Sequence, residues 1–399
     1  MTNPIRVGIV GARFAARLHY ENYRRVYGVP VRVAGVFSKS AESCEAFARE
    51  RGIHVFSSLD GLYDACDVVD LCVPPALHEP LAVQALRRGK DVIIEKPFTG
   101  CFGPREAGED FRGDRFPKEE MLGMALASCD RILRAARESG RRIAYAENWV
   151  YAPAVEKERE ILEKTGGQIL WIIGDESHSG SHSAYYGVWR HSGGGSLIGK
   201  ACHPLSAALH LKRAEGAARN GRPIRPARVS ARTHAITRLP AFRDAGFLRT
   251  DYRDVEDYAS AHVTFEDGTV ADIFSSELVL GGVHNWLEIF ANNHRTRCNL
   301  NPVDALETYN PREGQFKDVY VVEKIGTKQG WSKPAADEDW QQGYARELQD
   351  FMESFAAGSD PLSSGELARD TIAAIYCGYL SAERQGAEVE IPAPEPTPR

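Results

Sequence analysis

The 399-residue sequence predicts two domains: an α/β domain over 1–150 with a parallel sheet, and an α+β domain over 151–399 with a largely antiparallel sheet open on one face. Three observations predict this. The length exceeds what one compact core usually fills. The first 150 residues alternate continuous apolar runs with amphipathic stretches, the pattern of strands covered on both faces by helices. Beyond them the runs become strand-like, and "VTFEDGTVADIF" places Asp-Gly between two of them, the signal of a hairpin turn.

The elements follow in order. "IRVGIVGA" (5–12) reads as a strand, and 14–27 as a helix with Phe14, Leu18 and Tyr23 on one side. "VRVAGVFS" (31–38) is a second strand, after which the Ser40 hydroxyl can cap a helix running through Arg51. "DVVDLCVP" (67–74), "DVIIEKP" (91–97) and "RRIAYAENW" (141–149) are further strands, with "HEPLAVQALRRG" (78–89) helical between two of them. The charged, glycine-rich stretch 101–120 has neither period and reads as an insertion, either a lid over a site or a surface and oligomer contact. In the second domain 152–167 is helical. "QILWIIGDES", "PARVSARTHAI", the Asp-Gly hairpin and "WLEIFANNHRTRCNL" are strands; 339–357 and 365–385 are helices, and "PAPEPTPR" is a frayed tail.

Composition narrows the function. The net charge is −6 with no concentrated basic stripe, so nucleic acid is not an expected partner. No run of 18 or more apolar residues marks a membrane span. A strand begins almost at the first residue, which leaves no room for a signal peptide. The eight cysteines (44, 66, 72, 101, 129, 202, 298, 377) form no C-x-x-C pair and read as buried thiols of a cytoplasmic protein.

"VGIVGARFAARLH" sets a glycine-bearing turn between the first strand and first helix, where free amides and the helix dipole suit a pyrophosphate. The match to the dinucleotide fingerprint of a Rossmann domain is partial. With Gly11 as its first glycine, the second position is Arg13 and the third Ala16, which still allows close helix–strand packing. Gly8, Gly11, Arg13, Phe14 and Ala15 are the candidate contacts, and an ordinary βα turn is the competing reading. The second strand ends in Ser38 and Lys39 where a carboxylate would mark NAD. These two could accept a 2′-phosphate, so the cofactor is NAD or NADP with a lean to NADP. A solvated Lys39 is the alternative.

With the glycine turn, "CVPPALH" and "EKP" each following a strand, the chain resembles the glucose–fructose oxidoreductase / inositol dehydrogenase (Gfo/Idh/MocA) family from residue 5 to about 300. The resemblance implies that Lys96, between Glu95 and Pro97, is catalytic, and that Pro74, Pro75 and His78 lie beside the cofactor. His19 matches a histidine the family often has in its first helix. Glu147 and Asn148 are implied as cofactor or substrate contacts, a domain hinge being the other reading. Hydride transfer from a secondary alcohol requires removal of its proton. A lysine beside a cationic nicotinamide and partly desolvated can have its pKa lowered enough to accept it.

A second family signature is a glycine cluster followed by an aspartate and, four residues on, a histidine. "SGGGSLIGKACHPL" matches it at Gly193, Gly194, Gly195 and His203, with Gly199 in the aspartate position and Lys200 beside it. His203 is expected to accept or orient a proton. Upstream, "GDESHSGSHSAYYGVWRHSGGG" (174–195) interleaves hydroxyls, histidines and rings as a sugar site would, and His178, His182, Tyr186, Trp189, Arg190 and His191 are its candidate lining. No carboxylate–histidine pair repeats on a helix, so no metal is expected. Arg190 and Lys200 hint at an anionic substituent.

The expected function is an NAD(P)-dependent oxidoreductase acting on a sugar or polyol. Two alternatives share the fold. One is a redox-cycling glycosidase, working by transient C3 oxidation, elimination, water addition and re-reduction, on an anionic (for example sulfonated) sugar glycoside. The other, a non-catalytic cofactor sensor, would not be expected to keep Lys96. The open sheet face is the expected surface of a homodimer or homotetramer, as the resemblance implies.

Overall fold

The computed structural model describes residues 3–181, 183, 185–303 and 305–394. Its first half runs β1 (Ile5–Val10), α1 (Phe14–Tyr23), β2 (Val31–Phe37), α2 (Ala41–Arg51), α3 (Leu59–Ala65), β3 (Val68–Leu71), α4 (His78–Arg87), β4 (Asp91–Glu95), α5 (Lys118–Ser139) and β5 (Ile143–Ala146). The five strands form a parallel sheet in the order β2-β1-β3-β4-β5. Strand order reverses beside β1, so the crevice at the carboxyl ends of β1 and β3 is where a ligand of such a sheet binds. Local chemistry sets the boundaries. Ser40 Oγ accepts from Ser43 N at the start of α2, and Gly52, at φ +64°, ends it in the left-handed region open to glycine.

The second half runs α6 (Pro153–Thr165), β6 (Ile169–Ser177), α7 (Trp189–Ser192), α8 (Ser196–Gly199), α9 (Cys202–Asn220), β7 (Pro226–His234), β8 (Tyr258–Phe265), β9 (Val270–Ser276), β10 (His284–Ala291), β11 (Arg295–Asn299), β12 (Thr308–Asn310), β13 (Gly330–Ser332), α10 (Glu338–Gln341), α11 (Tyr344–Ala357), α12 (Gly365–Glu383) and β14 (Val389–Glu390). Seven strands form one sheet, β11-β10-β6-β9-β8-β7-β14, and β12 pairs with β13 apart from it. The sheet is mostly antiparallel, with one exception: β6 and β9 run parallel. Between them the chain passes through α9, whose length permits a crossover. The expected Asp-Gly turn joins β8 to β9, with Gly268 at φ +81° and Phe265 N bonded to Thr269 O.

Along β8, Ala259, Ala261, Val263 and Phe265 are buried, whereas Ser260, His262 and Thr264 face away from the core. Helices α9 and α12 cover the inner side. The chain beyond residue 150 also returns to the first sheet, because α11 packs on α1 and α12 on α5. The segment 101–120 is docked rather than free. Gly113 N donates to Asp254, and the Arg253 guanidinium donates to the Glu109 and Phe111 carbonyls. Its only regular structure is a short 3-10 turn at Gly113–Arg115 and the start of α5. All eight cysteines are free and buried. Among the described residues no helix is long and apolar enough to cross a membrane. Of the expected frayed tail, 395–399 lie outside the described residues, while Arg369 holds the carbonyls of Pro392 and Ala393.

Candidate active site

The apolar run of β4 ends at Glu95, and the chain then turns through a cis Lys96–Pro97 bond. Lys96 Nζ leaves the first sheet and donates to the Gly199 carbonyl, 3.1 Å away, at the end of α8. Burial pushes this ammonium down, but Tyr186, Cys202, Glu176 and Glu95 around it outweigh burial and hold it well above the usual lysine range. In this geometry Lys96 Nζ acts as a hydrogen-bond donor.

His203, in the first turn of α9, is buried among acidic groups. Its Nδ1 lies 2.5 Å from Glu147 Oε1 and its Nε2 3.7 Å from Glu176 Oε2, while its ring stacks on Trp149. Glu147 follows β5 and caps the short turn beyond it, accepting from Trp149 N. Glu176 is the penultimate residue of β6. Burial pushes the Glu147 carboxyl up to about 8 and the His203 imidazole down to about 3. Cys202 Sγ lies within 4.8 Å of both ligand-type atoms, as Cys72 does for His19 and Asp70, but in each group the histidine and carboxylate are already bonded to each other.

At the cofactor end, Gly11 has φ +111°, and a Cβ there would sit 2.0 Å from the Cys72 carbonyl. Only glycine lets the turn after β1 lie this close to the end of β3. Arg13, the anomalous second position, is extended (φ −113°) and tolerates its side chain, which lies 6.0 Å from the Tyr185 ring centre. It offers no side-chain cap to α1, so the first-turn amides over Phe14 and Ala15 are left for an anion. These features fit a dinucleotide pyrophosphate. Gly8 packs on Leu62 instead, inside β1. Ser38 is half-buried and Lys39 exposed beyond the end of β2.

His78 ties two turns together, with Nδ1 3.0 Å from the Pro97 carbonyl and Nε2 3.0 Å from that of Val73, next to Pro74. Asn148 donates to the Gln342 carbonyl, holding the segment before α11. Glu95 accepts from Lys96 N and lies 3.1 Å from His19 Nε2. Burial opposes the Glu95 charge, but His19 brings its carboxyl below the ordinary value. His19 Nδ1 in turn meets Asp70 at 2.9 Å, and Tyr23 donates to the same carboxylate.

The proposed sugar loop divides in two. Tyr186 lies beside Gly199 and Lys96. His178 Nε2 is 2.6 Å from Lys200 Nζ, which also pairs with buried Glu277 at 3.2 Å and donates to Ser181. Trp189, by contrast, is buried under the 101–120 segment, its ring against Gly113 and its indole N–H on the Cys101 carbonyl. Arg190 and His191 turn to Glu109 of the same segment, at 3.7 and 3.6 Å. The two cations that suggested an anionic substituent thus have carboxylates of their own. His182 lies outside the described residues.

Sequence reasoning missed Glu176, Glu277 and Glu256. Glu176 carried a signal, since a charged residue two places after a glycine in an apolar strand is unusual for a core. Glu256 accepts from Gly195 N, Leu197 N and the Tyr379 hydroxyl, which holds the glycine cluster in place. Nothing local in the sequence announces that contact.

Comparison with known proteins agrees with this fold. The model of the Gfo/Idh/MocA oxidoreductase family, with its NAD-binding Rossmann fold, matches residues 5–109, and that of the Gfo/Idh/MocA C-terminal domain matches 158–295. The UDP-N-acetylglucosamine 3-dehydrogenase of Acidithiobacillus ferrooxidans is 33% identical over 95 residues, 24% of this chain and 29% of the relative. The NADP-dependent scyllo-inositol 2-dehydrogenase IolU of Bacillus subtilis is 33% identical over 98 residues, again 24% of this chain and 29% of the relative. These alignments span less than a third of either relative's length. The crystal structure of GenD2 from gentamicin A biosynthesis in complex with NAD shares the fold over 98% of both chains, at TM-score 0.77 and 22% identity.

Proposed function

Because the chain belongs to the Gfo/Idh/MocA oxidoreductase family, we propose that it is an NAD(P)-dependent dehydrogenase of a sugar or polyol, with Lys96 and His203 at the reacting carbinol. The observation that carries the reading is the Lys96–Gly199 contact, which sets an ammonium from the first sheet against the segment that leads into His203. UDP-N-acetylglucosamine and inositol dehydrogenases among the relatives support a carbohydrate substrate.

Gly11, Arg13 and the first-turn amides of α1 would hold the cofactor, with Ser38 and Lys39 nearest its ribose. When bound, it supplies a hydride acceptor. Lys96 donates a hydrogen bond to the substrate hydroxyl oxygen and stabilises the charge that develops there as the proton leaves. His203 Nε2 takes that proton, and the O–H electron pair becomes the second bond of the carbonyl. Tyr186 and His178 line the sugar. The lack of a carboxylate after β2 supports NADP over NAD. The protein works in the cytoplasm as a homodimer or homotetramer built on the outer sheet face.

One assay tests this. The protein meets UDP-N-acetylglucosamine, inositols, free sugars and nitrophenyl glycosides with either oxidised cofactor, while nicotinamide reduction and aglycone release are followed together. Stoichiometric reduction on a free or nucleotide-linked sugar is the expected result. Aglycone release without net reduction would replace the dehydrogenase by the redox-cycling glycosidase.

A further inference from the structure

A proton-accepting histidine needs a carboxylate or carbonyl on its far nitrogen, to fix the tautomer and balance the imidazolium that forms. In this chain position 199, four residues before His203 at the end of α8, is glycine, and a Cβ there would point at the Tyr186 ring 3.5 Å away. An aromatic ring, not a carboxylate, fills that side of the site.

Two carboxylates reach His203 from elsewhere in the chain. Glu147 Oε1 lies 2.5 Å from Nδ1, and the Glu147 carboxyl is held by Trp149 N at 3.4 Å and the Tyr145 hydroxyl at 3.5 Å. The stacked Trp149 ring fixes the imidazole plane. Glu176 Oε2 faces Nε2 at 3.7 Å, too far for a direct hydrogen bond, and this buried oxygen has no hydrogen-bond partner among the described residues. A buried acceptor left without a donor is costly, and a hydroxyl donating to it would satisfy it.

We propose that Glu147 and Glu176 together do the work of the carboxylate that position 199 lacks: Glu147 is a positioning residue that fixes the His203 tautomer through Nδ1, and Glu176 accepts a hydrogen bond from a second substrate hydroxyl, neighbouring the one whose proton Nε2 takes. The proposal rests on the dehydrogenase reading. In the oxidative direction the substrate O–H bond breaks and an Nε2–H bond forms, while the Nδ1–H proton stays between imidazolium and Glu147 carboxylate. Titratable groups acting on the ring are Glu147, bonded at Nδ1, Glu176 on the Nε2 side, and the charges of Lys96, Glu95 and Lys200. Burial raises Glu147 to about 8, so the form with a free Nε2, carboxylate beside neutral imidazole, gains population as pH rises through about 8, and that value belongs to the pair.

The test is side-chain nitrogen NMR of histidine-labelled protein saturated with oxidised cofactor, with His203→Asn giving the assignment. In the parent protein above the pair's pKa, Nδ1 should be protonated and Nε2 bare. Glu147→Gln should mix the tautomers and Glu147→Asp should restore them. Glu176→Gln should leave the tautomer unchanged but raise KM at least tenfold on any substrate found. A bare Nδ1 in the parent protein, or a tautomer indifferent to Glu147→Gln, overturns the role of Glu147; an unchanged KM overturns that of Glu176. The spectra need no turnover. An inactive substrate panel would count against the dehydrogenase while the parent spectrum still decides the Glu147–His203 pairing, even if Glu147→Gln does not fold.

Discussion

Lys96 Nζ and the Gly199 carbonyl meet at 3.1 Å, joining the tip of β4 to the segment before α9. A backbone acceptor orients the ammonium without neutralising it, so the full charge remains for the substrate oxygen. Lys96→Met keeps the stem and removes the charge. Turnover should fall by about 10²–10³-fold, the range for loss of a donor that stabilises charge developing in the transition state. Cofactor affinity, followed by fluorescence titration, should change little, because the pyrophosphate features lie on β1 and α1. Undiminished turnover would show that Lys96 takes no part in the chemistry.

The pH dependence of oxidation follows from the Glu147–His203 pair. Burial favours its protonated form, with Glu147 near 8, and a protonated pair has no free acceptor for the substrate proton. The oxidation rate should therefore rise through about pH 8 and reduction should fall over the same range. Rate profiles in both directions check this; a profile flat across that range would show that another group takes the proton.

Much of this architecture was legible in the sequence because it is local. The continuous apolar runs ending at Glu95 and Glu147, the glycine turn at Gly11 and the Ser40 cap each follow from a few adjacent residues. The site was only partly legible. His203 and Lys96 stood out by spacing, but their partners come from distant strands, and no sequence pattern shows that Glu176 faces His203. Trp189 and Arg190, whose composition suits a sugar, are turned by long-range packing toward 101–120, a contact their own segment does not announce. The parallel β6–β9 pair was hidden because strand pairing across α9 leaves no mark on either strand's own pattern.

Lys200 and Glu277 form a buried ion pair at 3.2 Å. Removing one partner of such a pair leaves an uncompensated charge, so Glu277→Gln should destabilise the protein by about 3–5 kcal/mol in denaturant unfolding. The double substitution Lys200→Met with Glu277→Leu should recover most of that loss. If Lys200 is occupied by Glu277, substrate KM in a correctly folded double variant changes little. A tenfold rise would return Lys200 to the substrate-binding role suggested by the sequence.

The outer sheet face carries a stacked Trp171–Phe290 pair, ring centres 4.7 Å apart, with Trp171 37% exposed. If this face joins subunits, Trp171→Glu buries a charge in the interface and should shift the protein toward monomer. Light scattering on the eluting protein measures it; an unchanged mass would place the interface elsewhere.

Glu256 offers a separate test through stability. Its carboxyl accepts from Gly195 N at 3.1 Å, Leu197 N at 2.9 Å and the Tyr379 hydroxyl at 2.7 Å. Burial outweighs these bonds and pushes it up to about 7. A carboxyl raised on folding binds its proton more tightly in the folded state than in the unfolded chain. Its contribution is therefore complete below the unfolded value, near 4.5, and is lost as pH rises through about 7. Glu256→Gln has no proton to lose. Melting temperatures taken from about pH 5 to about pH 8 should show the parent protein declining relative to the variant across that window. Parallel curves would mean that the backbone amides of the glycine cluster hold Glu256 ionised throughout, and that burial is not what governs its charge.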